Sequence, residues 1–314
     1  MKSYFIVMVI SALIISMTLA CLAYNYSNRG GGLFNNPVGI EVVGSGNIYV
    51  VDCGNGRIQK FSDTGKFIMQ WGEQGTGEGC FDRPSHIAAD KNKNLYVTDT
   101  NNHRIQKFKH DGTFMLTWGK SGKSAGDFRF PQGITVDKEG EVTVVDTENN
   151  RVQKFNSEGK LISVWGVKGR GIGQFSAPRG VTVDKYRNIY VCDAGNGRVI
   201  KFNSEGQHQA SWGGEGSDKN LFLSPVDITI DSRGNVFVTD LGKSCVIKLS
   251  PEGKKISTWG TYGINSGELA GPNGISMGTD ERYVYVADSG NNRVQKFNTK
   301  GRFVIQWGSF GKVF

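Results

Sequence analysis

From about residue 33 onward the chain is a series of short apolar stretches separated by turn residues. Residues 131–166 show the pattern, with apolar runs at 134–136, 142–145, 152–155 and 161–165. Each is rich in β-branched and aromatic side chains and is bounded by Gly, Asp, Asn or Ser. Such lengths and composition predict four strands. No stretch in this part has the length and 3.6-residue period of an amphipathic helix.

The four-strand pattern recurs. Trp71, Trp118, Trp165, Trp212, Trp259 and Trp307 are spaced by 47, 47, 47, 47 and 48 residues, and each precedes a Gly. A fixed period of this size predicts one supersecondary unit copied six times. A Gly also recurs before each fourth strand, at Gly65, Gly112, Gly159, Gly206, Gly253 and Gly301, where a hairpin needs positive φ. The second and third strands are joined by Asp-x-x-Asn-x-Arg, as in Asp146, Asn149 and Arg151. Short polar side chains there are expected to hydrogen-bond turn backbone. Six such units predict an all-β fold, a six-bladed propeller of four-stranded antiparallel blades, because radial repetition buries both faces of every blade. A straight solenoid would need capping units, which the chain lacks.

The pattern P-x-G-I-x-V-D … G-N-I-Y-V-x-D-x-x-N-x-R-V-Q-K-F … W-G resembles the NHL repeat. The likeness runs over residues 33–314, with repeats at about 37–72, 84–119, 131–166, 178–213, 225–260 and 272–308. It implies the six-bladed propeller. For function it leaves protein binding, RNA binding and an amidating-lyase activity open. The lyase branch resembles this pattern but places zinc-binding His directly after the repeat Pro. None of the six positions here is His, so no zinc triad is expected. No G-x-S-x-G elbow supports a serine hydrolase either.

Residues 4–24 are an uncharged, mostly apolar run long enough to span a bilayer. They predict an N-terminal hydrophobic helix, either a retained signal anchor or a cleaved signal peptide with Ala20 or Ala23 at the cut; Cys21 adds lipidation as a third fate. All three put the propeller outside the cytoplasm, membrane-anchored or secreted. Residues 25–32 form a Gly-rich spacer, with a glycosylation sequon at Asn25. The formal charge of +8 is compatible with nucleic acid, an anionic membrane surface or acidic glycans. Much of it comes from one lysine per unit (Lys60, Lys107, Lys154, Lys201, Lys248, Lys296) and five turn arginines, spread around the ring. With export, nucleic acid is therefore not the expected partner. The four cysteines after the leader, Cys53, Cys80, Cys192 and Cys245, follow no metal spacing and read as isolated thiols.

Candidate chemistry sits where the repeats differ. The linkers and the turns between second and third strands should share one face, together with the two positions after each Pro, at the mouth of the central channel. The first of these positions reads Val38, Ser85, Gln132, Arg179, Val226 and Asn273; the second reads Gly39, His86, Gly133, Gly180, Asp227 and Gly274. His86 and Asp227 belong to units three apart and so should face each other across the channel. Two readings follow: a polar ligand or ion held by His86 and Asp227 with Arg179, Gln132 and Asn273 nearby, or two groups on a wet rim. No resident cofactor is expected, a single divalent ion at the mouth being the alternative. Glu41 stands where the other units carry Ala88, Thr135, Thr182, Thr229 and Ser276; a frayed, hydrated first strand is the expectation there. The function expected is a monomeric scaffold that binds a protein or glycan through the linker face. A lyase- or lactonase-type enzyme and an RNA-binding basic propeller are the alternatives.

Overall fold

The computed structural model describes residues 31–214 and 221–311. The leader at 4–24, its expected helix and the Asn25 sequon lie outside them. Among the described residues no helix is long and apolar enough to cross a membrane.

Six four-stranded antiparallel sheets form the blades, each with its strands in sequence order. Blade three runs Pro131–Val136, Val142–Asp146, Arg151–Phe155 and Leu161–Trp165, so all four predicted strands are present. The first strand of each blade is innermost, and the Trp-bearing strand is the outer wall. Every first strand begins with Pro paired to the Asp that closes the second strand. A register shift follows in each: in five blades the two residues after Pro bulge out of the ladder, and in blade five only Val226 does, Asp227 pairing with Thr239.

Blade-to-blade packing explains the Trp and Gly periods together. Trp71, Trp118, Trp165 and Trp259 each lie with ring centroids 6.0–6.4 Å from a Phe of the next blade, and Trp307 closes the circle 6.0 Å from Phe61. The hairpin glycines have φ near 80°, as expected. They also lie against the preceding blade's Trp: a Cβ at Gly159 would come within 2.7 Å of Trp118, and one at Gly65 within 2.9 Å of Trp307. One residue thus meets a backbone and a packing demand at once.

Whole blades meet at the seam. The linkers entering blades two, three, four and six fold on themselves through a short parallel pairing, such as Val167↔Gln174 and Lys168↔Phe175. At the seam the same pairing is made by two separate ends, Leu33↔Ser309 and Phe34↔Phe310. The ring closes by rebuilding a linker from its two halves, with no strand exchanged between blades.

Candidate functional site

The recurring Asp is the anchor of the linker face. Asp146 is fully buried. It accepts hydrogen bonds from the Arg129 amide, Asn149, Arg151 Nε and Gln153, at 2.7–3.0 Å. The Arg151 guanidinium reaches on to the carbonyls of Lys123, Ser124 and Asp127. Each such clasp ties a turn to the linker that precedes it. Its charge is compensated and its hydrogen bonds are satisfied, which is the condition for burying a carboxylate. The short polar side chains do bond backbone, as expected, but that of the linker rather than of their own turn, Asp146 accepting the Arg129 amide and Asn149 donating to the Gly122 carbonyl. Blade five is the exception: among the described residues Asp240 there accepts the backbone amides of Leu223, Ser224 and Lys243, Lys243, Cys245 and Ile247 standing in place of the Asn, Arg and Gln donors.

The clasps hold linker backbone and leave linker side chains outward. Among the described residues seven large apolar side chains are at least 60% exposed, and six of them lie on this face: Val167, Ile172, Leu223, Tyr262, Ile264 and Phe310. They occupy the linkers entering blades four, five and six, and the seam. The linkers entering blades two and three contribute none.

The channel mouth departs from the wet-rim reading of the sequence. At the second position after Pro, inner strands approach so closely that a Cβ on Gly133 would sit 2.2 Å from the Arg179 carbonyl oxygen, and one on Gly274 2.2 Å from that of Val38. The four glycines are required by this crowding. His86 and Asp227 fill the space on the axis and meet: His86 Nε2 lies 3.0 Å from both Asp227 oxygens. Asp227 is buried and also accepts the Ile275 amide at 2.8 Å. The wet-rim expectation is therefore corrected; the pair is a bridge across the channel, made from opposite blades. Among the described residues no three His, Cys, Asp or Glu side chains are grouped to hold a metal. Burial pushes the His86 imidazole down, but the charge and hydrogen bond of Asp227, with the charge of Glu41, more than offset it and raise its pKa. Among the described residues His86 Nδ1 is buried with no hydrogen-bond partner.

Gln132, Arg179 and Asn273 stand half-buried around the bridge. Burial lowers the pKa of the Arg179 guanidinium. The structure brings His86 and Asp227 together and leaves these three side chains around them.

Glu41 also corrects its expectation. It lies in a seven-residue strand, Pro37–Val43, where it is paired with Tyr49, and it lines the channel cavity below the bridge. Burial pushes its carboxyl up to about 7, against the lowering effects of His86, Ser276 and the Ala89 amide. Its one printable sign in the sequence was a carboxylate where five other units have small side chains.

A six-bladed ring whose blades are fastened by buried Asp–Asn–Arg clasps defines a repeat propeller with variable linkers on a constant frame. The chain is an NHL-repeat protein: the model of the NHL repeat matches residues 34–61, 81–108, 128–155, 175–202 and 269–297. Blade five is the unmatched one, and it is the blade with Lys243, Cys245, Ile247 and Leu249 in place of Asn, Arg, Gln and Phe. No curated protein sequence matches the chain. Solved propellers resemble it in fold. One is a streptogramin B lyase (14% identity, 92% of this chain and 86% of that one, TM-score 0.63). A gluconolactonase from Xanthomonas campestris (12%, 82% and 85%, 0.63) is another. A chain of the nidogen/laminin complex is a third (19%, 71% and 79%, 0.55).

Proposed function

We propose that this propeller is an extracytoplasmic recognition scaffold that binds a protein partner on its linker face. The observation that carries this is the placement of six of the seven most exposed large apolar side chains on that one face. Exposed apolar groups gathered on one side of a soluble fold mark an interaction surface. Four of the six, Val167, Ile172, Leu223 and Ile264, are aliphatic groups suited to a protein surface, whereas glycan faces are met chiefly by aromatic rings. The clasps contribute rigidity, so little ordering entropy opposes binding. Arg179, half-buried and desolvated, suits an acidic side chain of the partner at the centre of the face. The apolar run at 4–24 supports export and membrane attachment. The nidogen/laminin chain is a precedent for a propeller in a protein complex.

The test is affinity capture with the purified full-length protein beside two variants. Tyr262→Ser/Ile264→Ser alters the linker face, and Ile162→Ser/Ile256→Ser alters the outer wall. A protein retained by wild type and the wall variant but lost by the linker variant supports the reading. A protein retained by all three, or a glycan retained in its place, overturns it.

A further inference from the structure

Below the His86–Asp227 bridge the channel widens into a cavity of about 220 Å³, lined by the inner strands of all six blades. Its polar side chains are Glu41, His86, Thr135, Thr182, Thr229 and Ser276, and no Lys or Arg among the described residues lines it. The hydroxyls have a structural task. Ser276 Oγ accepts the Val42 amide and Thr229 Oγ1 accepts the Met277 amide, each 3.2 Å away on the next blade. They satisfy edge amides that no further strand can pair.

Glu41 holds the same position in blade one, but a full charge is more than that task needs. Ala88 shows that the frame tolerates even a methyl there. The carboxyl receives one side-chain hydrogen bond, from Ser276 Oγ at 3.3 Å, although a carboxylate has about four acceptor sites. The charged groups facing it are His86 and Asp227, and those two are bonded to each other. With Glu41 ionised the three groups sum to one negative charge, enclosed by protein and open to a polar cavity.

We propose that this cavity binds a small monovalent cation, either an inorganic ion or a primary ammonium, held by the Glu41 carboxylate and the hydroxyls of Thr135, Thr182 and Thr229. A single carboxylate among hydroxyl and backbone oxygens suits a singly charged, oxygen-seeking ion better than a divalent metal. The volume equals roughly seven waters, at about 30 Å³ each. It admits a partly hydrated ion or an alkylammonium of a few heavy atoms. Protonation of Glu41 would release the cation. With its carboxyl at about 7, affinity at pH 5.5 should be about 30-fold weaker than at pH 8.

The test uses the full-length protein in tetramethylammonium buffer, whose cation donates no hydrogen bond. Potassium and ethanolammonium are titrated separately while unfolding temperature is followed at pH 8 and pH 5.5. Glu41→Gln removes the charge, and Glu41→Thr restores the side chain found in three other blades, so a folded control is available. A saturable rise with either probe at pH 8, weakened at pH 5.5 and lost in both variants, is the expected result, and the responding probe identifies the source. No rise with either probe, or an equal rise in Glu41→Thr, overturns the proposal.

Discussion

Replacing Glu41 by Gln should stabilise the protein at and above neutral pH and do nothing in acid. The buried carboxyl ionises near 7 in the fold against an ordinary 4.5, because burial disfavours its charged form more than His86, Ser276 and the Ala89 amide favour it. In the unfolded chain it ionises at its ordinary value. Below that value both states are protonated and the group's stabilising contribution is whole. As pH rises through the window between about 4.5 and 7 the unfolded state loses its proton first, and the contribution drains away. Two to three pH units at 1.36 kcal/mol each amount to about 3 kcal/mol by pH 8. Gln keeps the shape and carries no charge. The difference in urea stability, Glu41→Gln minus wild type, should therefore be near zero at pH 4.5 and reach about 3 kcal/mol at pH 8. Tryptophan fluorescence reports the unfolding, and tetramethylammonium salts avoid any cation that binds the channel. His86, whose pKa is also raised, adds a slope of the same sign to both proteins, so most of it cancels in the difference. A flat difference across pH, or a variant less stable at pH 8, would refute the account of Glu41 as a charge buried at a cost.

Other outcomes follow from the same contacts. His86→Ala leaves Asp227 buried with only the Ile275 amide, and should cost about 3–5 kcal/mol; His86→Gly/Asp227→Gly, which copies the other four blades, should cost less than the two single changes summed, as a double-mutant cycle by urea unfolding would show. Asp146→Ala strands Arg151, Asn149 and Gln153 and should destabilise by about 3 kcal/mol or more, whereas Asp240→Ala, with no Arg in its clasp, should cost visibly less. Burial raises the thiols of Cys53 and Cys245 to about 11 and that of Cys192 further, so at pH 8 a thiol reagent should label Cys80 first among Cys53, Cys80, Cys192 and Cys245 in the folded protein and all of them in urea.

The repeat determined the fold. A 47-residue period with four apolar runs leaves a ring as the way to bury both faces of each sheet, and clasp and hairpin chemistry can be read from Asp, Asn, Arg and Gly because those contacts lie within one unit. Blade five is legible in the same way, since its lost Arg and Asn predict the thinner clasp around Asp240. Even the opposition of His86 and Asp227 follows from counting units. What counting could not supply is distance. Whether those side chains stop at a wet rim or touch depends on the width of a channel set by how closely six glycine-bearing strands crowd, a property of the closed ring and of no single repeat. Glu41 is the plainer case. As one substitution in the first unit it looks like divergence at a frayed end; only closure of the seam, with blade six supplying Ser276 and blade two supplying the Ala89 amide and His86, turns it into an enclosed charge. Local contacts are written in the period, whereas burial and charge coupling across the axis arise from atoms brought together by ring closure.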